Sequence, residues 1–200
     1  MILKGGKPTP GKFNEPVLEE YIWECKKISK EYGWEYETSE TFKNVTQLQL
    51  AILEKDTEAV KANLEKGCDV NFDKTLRGRD PMTPLIMACA FSSLPIVSML
   101  LDHPDIDIDK RPYDEGENAL SWAVRNPKNL DMVKHLVESG ADIYLRDRLG
   151  FSHLHRAVEA GALDIVEYLY SLGASTTYTA GDESPLLSAV SQKICPWYAF

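Results

Sequence analysis

The sequence predicts an all-α fold assembled from repeated helical pairs, and three observations carry that prediction. A short motif recurs as Thr46-Gln47-Leu48-Gln49-Leu50-Ala51, Thr83-Pro84-Leu85-Ile86-Met87-Ala88, Asn118-Ala119-Leu120-Ser121-Trp122-Ala123, Ser152-His153-Leu154-His155-Arg156-Ala157 and Ser184-Pro185-Leu186-Leu187-Ser188-Ala189. Successive copies start 37, 35, 34 and 32 residues apart, the length of one supersecondary unit with small insertions. After the motif, apolar residues fall at helical spacing, as in Met132, Val133, Leu136 and Val137 or Ile165, Val166, Leu169 and Leu172.

Each element follows from local chemistry. The Thr, Ser or Asn that opens a copy offers a side-chain oxygen to an amide of the first turn, so it starts a short first helix. The alanine five residues later, at Ala51, Ala88, Ala123, Ala157 and Ala189, marks where helices of neighbouring units approach closely. A second helix buries one face and closes at Gly67-Cys68-Asp69-Val70-Asn71, Gly140-Ala141-Asp142-Ile143 and Gly173-Ala174-Ser175-Thr176, each glycine standing where a left-handed cap belongs. The second unit instead ends in His103-Pro104-Asp105-Ile106-Asp107-Ile108, one residue longer and without the glycine. The third carries an extra residue near Asn126-Pro127-Lys128-Asn129. Loops absorb such insertions at small entropic cost.

This pattern resembles the ankyrin-repeat family. The resemblance implies an ankyrin-repeat solenoid of helix-turn-helix units joined by projecting hairpin loops. Asp147-Arg148-Leu149-Gly150-Phe151 and Tyr113-Asp114-Glu115-Gly116-Glu117 match the hairpins, with Gly150 and Gly116 where the backbone turns tightly. Residues 73–82 form a longer connection and 177–183 a shorter one. Residues 1–41 fall outside the repeats as a flexible tail plus an N-terminal capping helix. That helix opens near Pro16, carries an apolar stripe of Val17, Leu18, Tyr21, Ile22, Cys25, Ile28 and Tyr32, and ends at Gly33. The alternative for the stripe is a separate docking helix. Residues 42–200 form the repeat domain, about four repeats plus a partial C-terminal repeat. In that last copy Pro196 limits a second helix, and Trp197, Tyr198 and Phe200 either fold back as a cap or belong to a longer array.

Composition narrows the function. The chain has 200 residues, 44% hydrophobic and 26% charged, enough for one continuous core. A net charge of −9 and a pI near 5.0 argue against nucleic acid, because phosphate binding needs a dense cationic footprint, and favour a basic partner. Acidity concentrates in Asp102, Asp105, Asp107, Asp109, Asp114, Glu115 and Glu117, which read either as a solvated loop or as a patch for a basic target. Cys25, Cys68, Cys89 and Cys195 lack metal-ligand spacing, no apolar run reaches about 18 residues, and the start lacks a signal-peptide core. A soluble cytoplasmic protein is expected.

No catalytic constellation emerges. His153 and His155 near Asp147, Glu159 and Asp164 fit neither a zinc helix nor a nucleophile scheme, and the resemblance makes His155 structural. His103 and His135 are expected at the surface. Gly5-Gly6 lacks the strand and helix of a phosphate loop, and Asp105, Asp107 and Asp109 lack the glycine and distal glutamate of an EF-hand. Leu64 to Asn71 resembles the ankyrin segment whose asparagine some hydroxylases modify. No enzyme activity, cofactor or metal is expected, an enzyme with an unrecognised site being the rival class.

The resemblance places specificity on a concave surface of hairpins and first helices. The matching residues are Arg79, Asp80, Met82, Phe91, Asp114, Glu115, Glu117, Arg125, Asn126, Arg148, Leu149, Phe151 and Glu159. Phe91 and Phe151 also have a plain packing reading between units. The expected function is a non-catalytic protein–protein interaction module, monomeric when unbound, with no nucleic-acid or membrane partner. It acts as an inhibitor or immunity protein covering a toxin or enzyme, or as an adaptor or regulatory subunit of a larger complex. Arg148→Glu combined with Phe151→Ala is expected to abolish partner binding without lowering the melting temperature; normal binding by that variant would remove the concave face from consideration.

Overall fold

The computed structural model describes residues 40–72, 82–112, 116–147 and 149–176, with the side chains of 40–46 outside the description. Within it lie α1 (Glu40–Leu53), α2 (Thr57–Glu65), α3 (Pro84–Ala90), α4 (Leu94–Leu101), α5 (Ala119–Ala123), α6 (Leu130–Glu138), α7 (His153–Glu159) and α8 (Leu163–Ser171). They pair as α1/α2, α3/α4, α5/α6 and α7/α8, and the pairs stack so that α1, α3, α5 and α7 form one layer and α2, α4, α6 and α8 the other. The expected capping helix within 1–41 and the last motif copy with its C-terminal segment lie outside the described residues.

The motif's first residue caps as its chemistry dictates in three units. Thr83 Oγ1 accepts from the Ile86 amide at 3.2 Å, and Asn118 Oδ1 from the Ser121 amide at 2.9 Å. Ser152 Oγ accepts from the His155 amide while His155 Nδ1 accepts from the Ser152 amide at 3.2 Å, a reciprocal capping box. The first unit differs. Helix α1 starts at Glu40 and runs through Thr46, because no Pro or Gly interrupts residues 40–45 and an isolated Thr does not end a helix already under way.

The alanine column is buried at Ala51, Ala88, Ala123 and Ala157, where the first helices stack. Around it Leu48, Ile52, Leu85, Ile86, Leu120 and Leu154 from the first layer meet Ile96, Leu100, Leu136 and Ile165 from the second. The closing glycines take the left-handed backbone required of them, with φ of 74° at Gly67, 103° at Gly140 and 90° at Gly173. In the second unit the His103 amide donates to the Leu100 carbonyl, and His103 Nδ1 accepts from the Asp105 amide at 3.2 Å. A side chain thus stabilises a turn that has no glycine, and this histidine, expected to be a plain surface residue, has a structural task.

Polar side chains bind one unit to the next. Asn71 Nδ2 donates to the Asp105 carbonyl at 2.6 Å and Asn71 Oδ1 accepts from the Asp107 amide at 2.8 Å. Asp109 Oδ2 accepts from the Asp142 amide at 3.0 Å, and its Oδ1 from Asn118 Nδ2 at 3.0 Å. Asn126 Nδ2 donates to Ser92 Oγ at 3.1 Å. Asn71 therefore spends its amide on the neighbouring turn, and the Asp105–Asp109 stretch serves as a junction.

A left-handed residue also stands four places after the alanine in three units: Gly161 (φ 67°), Lys55 (φ 56°) and Ser92 (φ 53°). For a side chain other than glycine this conformation costs about 1 kcal/mol. Lys55→Gly should therefore raise unfolding free energy by about 1 kcal/mol in urea titrations. Ser92→Gly should gain less, since it also removes the hydroxyl that Asn126 donates to.

Candidate partner-binding face

The hairpin before α7 is built by one carboxylate. Asp147 Oδ1 accepts from the Leu149 and Phe151 amides, both at 3.0 Å, while the Gly150 amide donates to the Asp147 carbonyl and the Asp147 amide to the Phe151 carbonyl. Gly150 takes φ 81°, so the chain reverses tightly and a single bridge joins Arg146 to Ser152. At the tip Leu149 is 68% exposed.

Helix α7 then clamps this hairpin from behind. Arg156 Nε donates to Asp147 Oδ2 at 3.0 Å, its Nη2 makes a second bond to the same oxygen, and its Nη1 reaches Glu159 Oε2 at 2.9 Å. The guanidinium lies 4.4 Å from the centre of the Phe151 ring, and Phe151 meets His155 edge-on at 5.5 Å. Burial opposes the Arg156 charge, but its bonds to Asp147 and Glu159 prevail and raise its pKa further.

The third unit repeats the device. Arg125 at the end of α5 pairs in a fork with Glu117, through Nη1 to Oε2 at 2.7 Å and Nη2 to Oε1, and lies 5.5 Å from the Trp122 ring. Trp122 and Arg156 occupy the same place in the motif as Leu50 and Met87, so one column on the first helices runs Leu50, Met87, Trp122, Arg156.

The expected partner residues divide on this framework. Leu149 and Glu159 are exposed, and Met82, Glu117, Asn126 and Phe151 are half-buried. Phe91 caps α3 and is only 9% exposed, within the core, as its packing reading expects. Arg125 is equally enclosed because its fork with Glu117 draws it inward. Arg79, Asp80, Asp114, Glu115 and Arg148 lie outside the described residues. Arg156, Asp147 and Trp122 are not among the expected residues, because their pairing depends on how the loop folds back on α7. His135, expected at the surface, sits half-buried on α6 with Nε2 enclosed and unbonded.

A stack of helical pairs, with a hairpin beside its first helices, is the architecture of a helical repeat protein. The family model for ankyrin repeats, in three copies, matches residues 48–147. The chain belongs to the ankyrin-repeat family. It is 34% identical over 127 residues to an ankyrin repeat protein of fowlpox virus, covering 63% of this chain and 36% of the relative. It is 31% identical over 112 residues to the probable 26S proteasome regulatory subunit of Saccharomyces cerevisiae (55% and 49%), and 50% identical over 70 residues to human protein phosphatase 1 regulatory subunit 27 (35% and 45%). The chain thus spans about a third to a half of these relatives' lengths. Among the described residues no helix is long and apolar enough to cross a membrane.

The clamp makes each partner depend on the other. With Arg156 14% exposed and Asp147 6%, Asp147→Ala should lower stability by about 2 kcal/mol, because it leaves a half-buried cation and loose hairpin amides. Arg156→Met keeps the packing but leaves the more buried Asp147 carboxylate with only the Leu149 and Phe151 amides, and should cost about as much in the same denaturant titration.

Proposed function

We propose that the chain is a non-catalytic docking module that binds one protein partner through the hairpin at 146–152 and the adjoining first-helix column. The observation that carries this reading is Leu149: a large apolar side chain, 68% exposed, on a hairpin whose backbone is fixed by Asp147 and whose base is clamped by Arg156. A preformed apolar tip loses little entropy on binding. Trp122, Phe151 and Met82 supply further contact area, and Asn126 and Glu159 a polar rim.

A regulatory or adaptor subunit fits best, since two relatives carry the words regulatory subunit in their names. The net charge of −9 supports the inhibitor or immunity reading, in which an acidic monomer covers a basic enzyme or toxin. Glu117 and Glu159 are already engaged by Arg125 and Arg156, so attraction to a basic partner acts through long-range steering more than through these carboxylates. Buried thiols at Cys68 and Cys89 fit a cytoplasmic setting.

Phe151 supports the Arg156 clamp, so the double variant with Phe151→Ala, expected from the sequence to keep its melting temperature, should lose stability, and Leu149 is the cleaner probe. With the partner recovered by affinity capture and titrated calorimetrically, Leu149→Glu should weaken binding by about thirtyfold, or about 2 kcal/mol, at unchanged melting temperature. Tyr170→Ser, on the exposed side of α8 in the other layer, should bind normally. Full affinity in Leu149→Glu would refute the assignment of this face.

A further inference from the structure

His153 stands where two other motif copies carry Pro84 and Pro185, and in this chain it does something those residues cannot. Its ring is buried, 2% exposed, between the third and fourth units. Nε2 lies 3.0 Å from Asn118 Oδ1 and Nδ1 lies 3.1 Å from the Ile143 carbonyl oxygen. The Asn118 amide cannot be turned over to relieve this. Its Oδ1 receives the Ser121 amide at 2.9 Å, and its Nδ2 donates to Asp109 Oδ1 at 3.0 Å. Both ring nitrogens therefore face acceptors.

A neutral imidazole has one N–H, so it satisfies one of these oxygens and turns a lone pair toward the other. A protonated ring satisfies both but is a cation withdrawn from water. His155, two residues on, has no such conflict at Nδ1, which accepts from the Ser152 amide as a neutral ring can. We propose that His153 is an acid-sensitive pin between the third and fourth units, and that protonation of its ring loosens this joint.

Burial is the dominant influence and pushes the imidazole below its ordinary range; the Ile143 carbonyl, then Asp109, Asp142 and Asp147, pull the other way. Among the described residues these are the carboxylates that act on the ring. Asp147 is paired with Arg156, which offsets its pull, and burial outweighs that of Asp109 and Asp142. The unfolded chain takes up this proton near the ordinary imidazole value of about 6.5, and the folded chain only at lower pH. Between those two points the unfolded state binds more protons, so the joint's stability is full above about pH 6.5 and falls as pH drops. The joint responds in this way whatever docks on the hairpin face.

Hydrogen exchange of the full chain, measured at about pH 7.5 and about pH 5.5 on either side of the ordinary imidazole value, tests this. After correction for intrinsic rates, amides of α7 and α8 should open about tenfold more readily at the lower pH relative to those of α3 and α4. His153→Gln and His153→Pro should both abolish the difference, and one suffices if the other does not fold. The His153 ring nitrogens, followed by NMR in the unaltered chain, should titrate below about 6.5. A midpoint above that value, tightening on acidification, or an undiminished acid response in a folded variant would overturn the proposal.

Discussion

Close approach of successive first helices is the constraint on which this molecule depends. No helical pair encloses its own apolar face. Leu48 and Ile52 are buried on the helix against which the second unit stacks, and Leu120 on a helix with neighbours on either side. A methyl group at Ala51, Ala88, Ala123 and Ala157 sets the spacing, and a larger side chain would push neighbouring units apart. Stability in such a stack is a property of junctions more than of units.

Several polar side chains serve those junctions. Asn71, Asp109, Asn118 and Asn126 each reach a group about one repeat away in sequence and so tie one unit to the next. The acidic stretch that reads as a solvated patch is in part this structural set. Asp109 has both oxygens engaged, and Asp105 and Asp107 contribute main-chain groups to Asn71.

What could be read from the sequence was what local chemistry controls. Thr83, Asn118 and Ser152 as caps, Gly67, Gly140 and Gly173 as left-handed residues, and the alanine column each follow from backbone requirements within one unit. Thr46 failed for the same reason in reverse: the residues before it allow a helix to continue. The candidate face was only half legible. Leu149 at a hairpin tip followed from Gly150 and the repeat spacing, whereas the enclosure of Arg125 and Phe91 and the Asp147–Arg156 clamp depend on how a loop folds back on a helix. No periodicity encodes that distance.

The division of labour inside the hairpin bears on how such a chain can change over time. Asp147, Gly150 and Arg156 hold the loop's shape through main-chain and charge-paired contacts, while the Leu149 side chain projects away from all of them. Lineages can therefore exchange the tip residue without rebuilding the loop beneath it. Substitutions at 147 or 156, in contrast, would have to arise together or be eliminated.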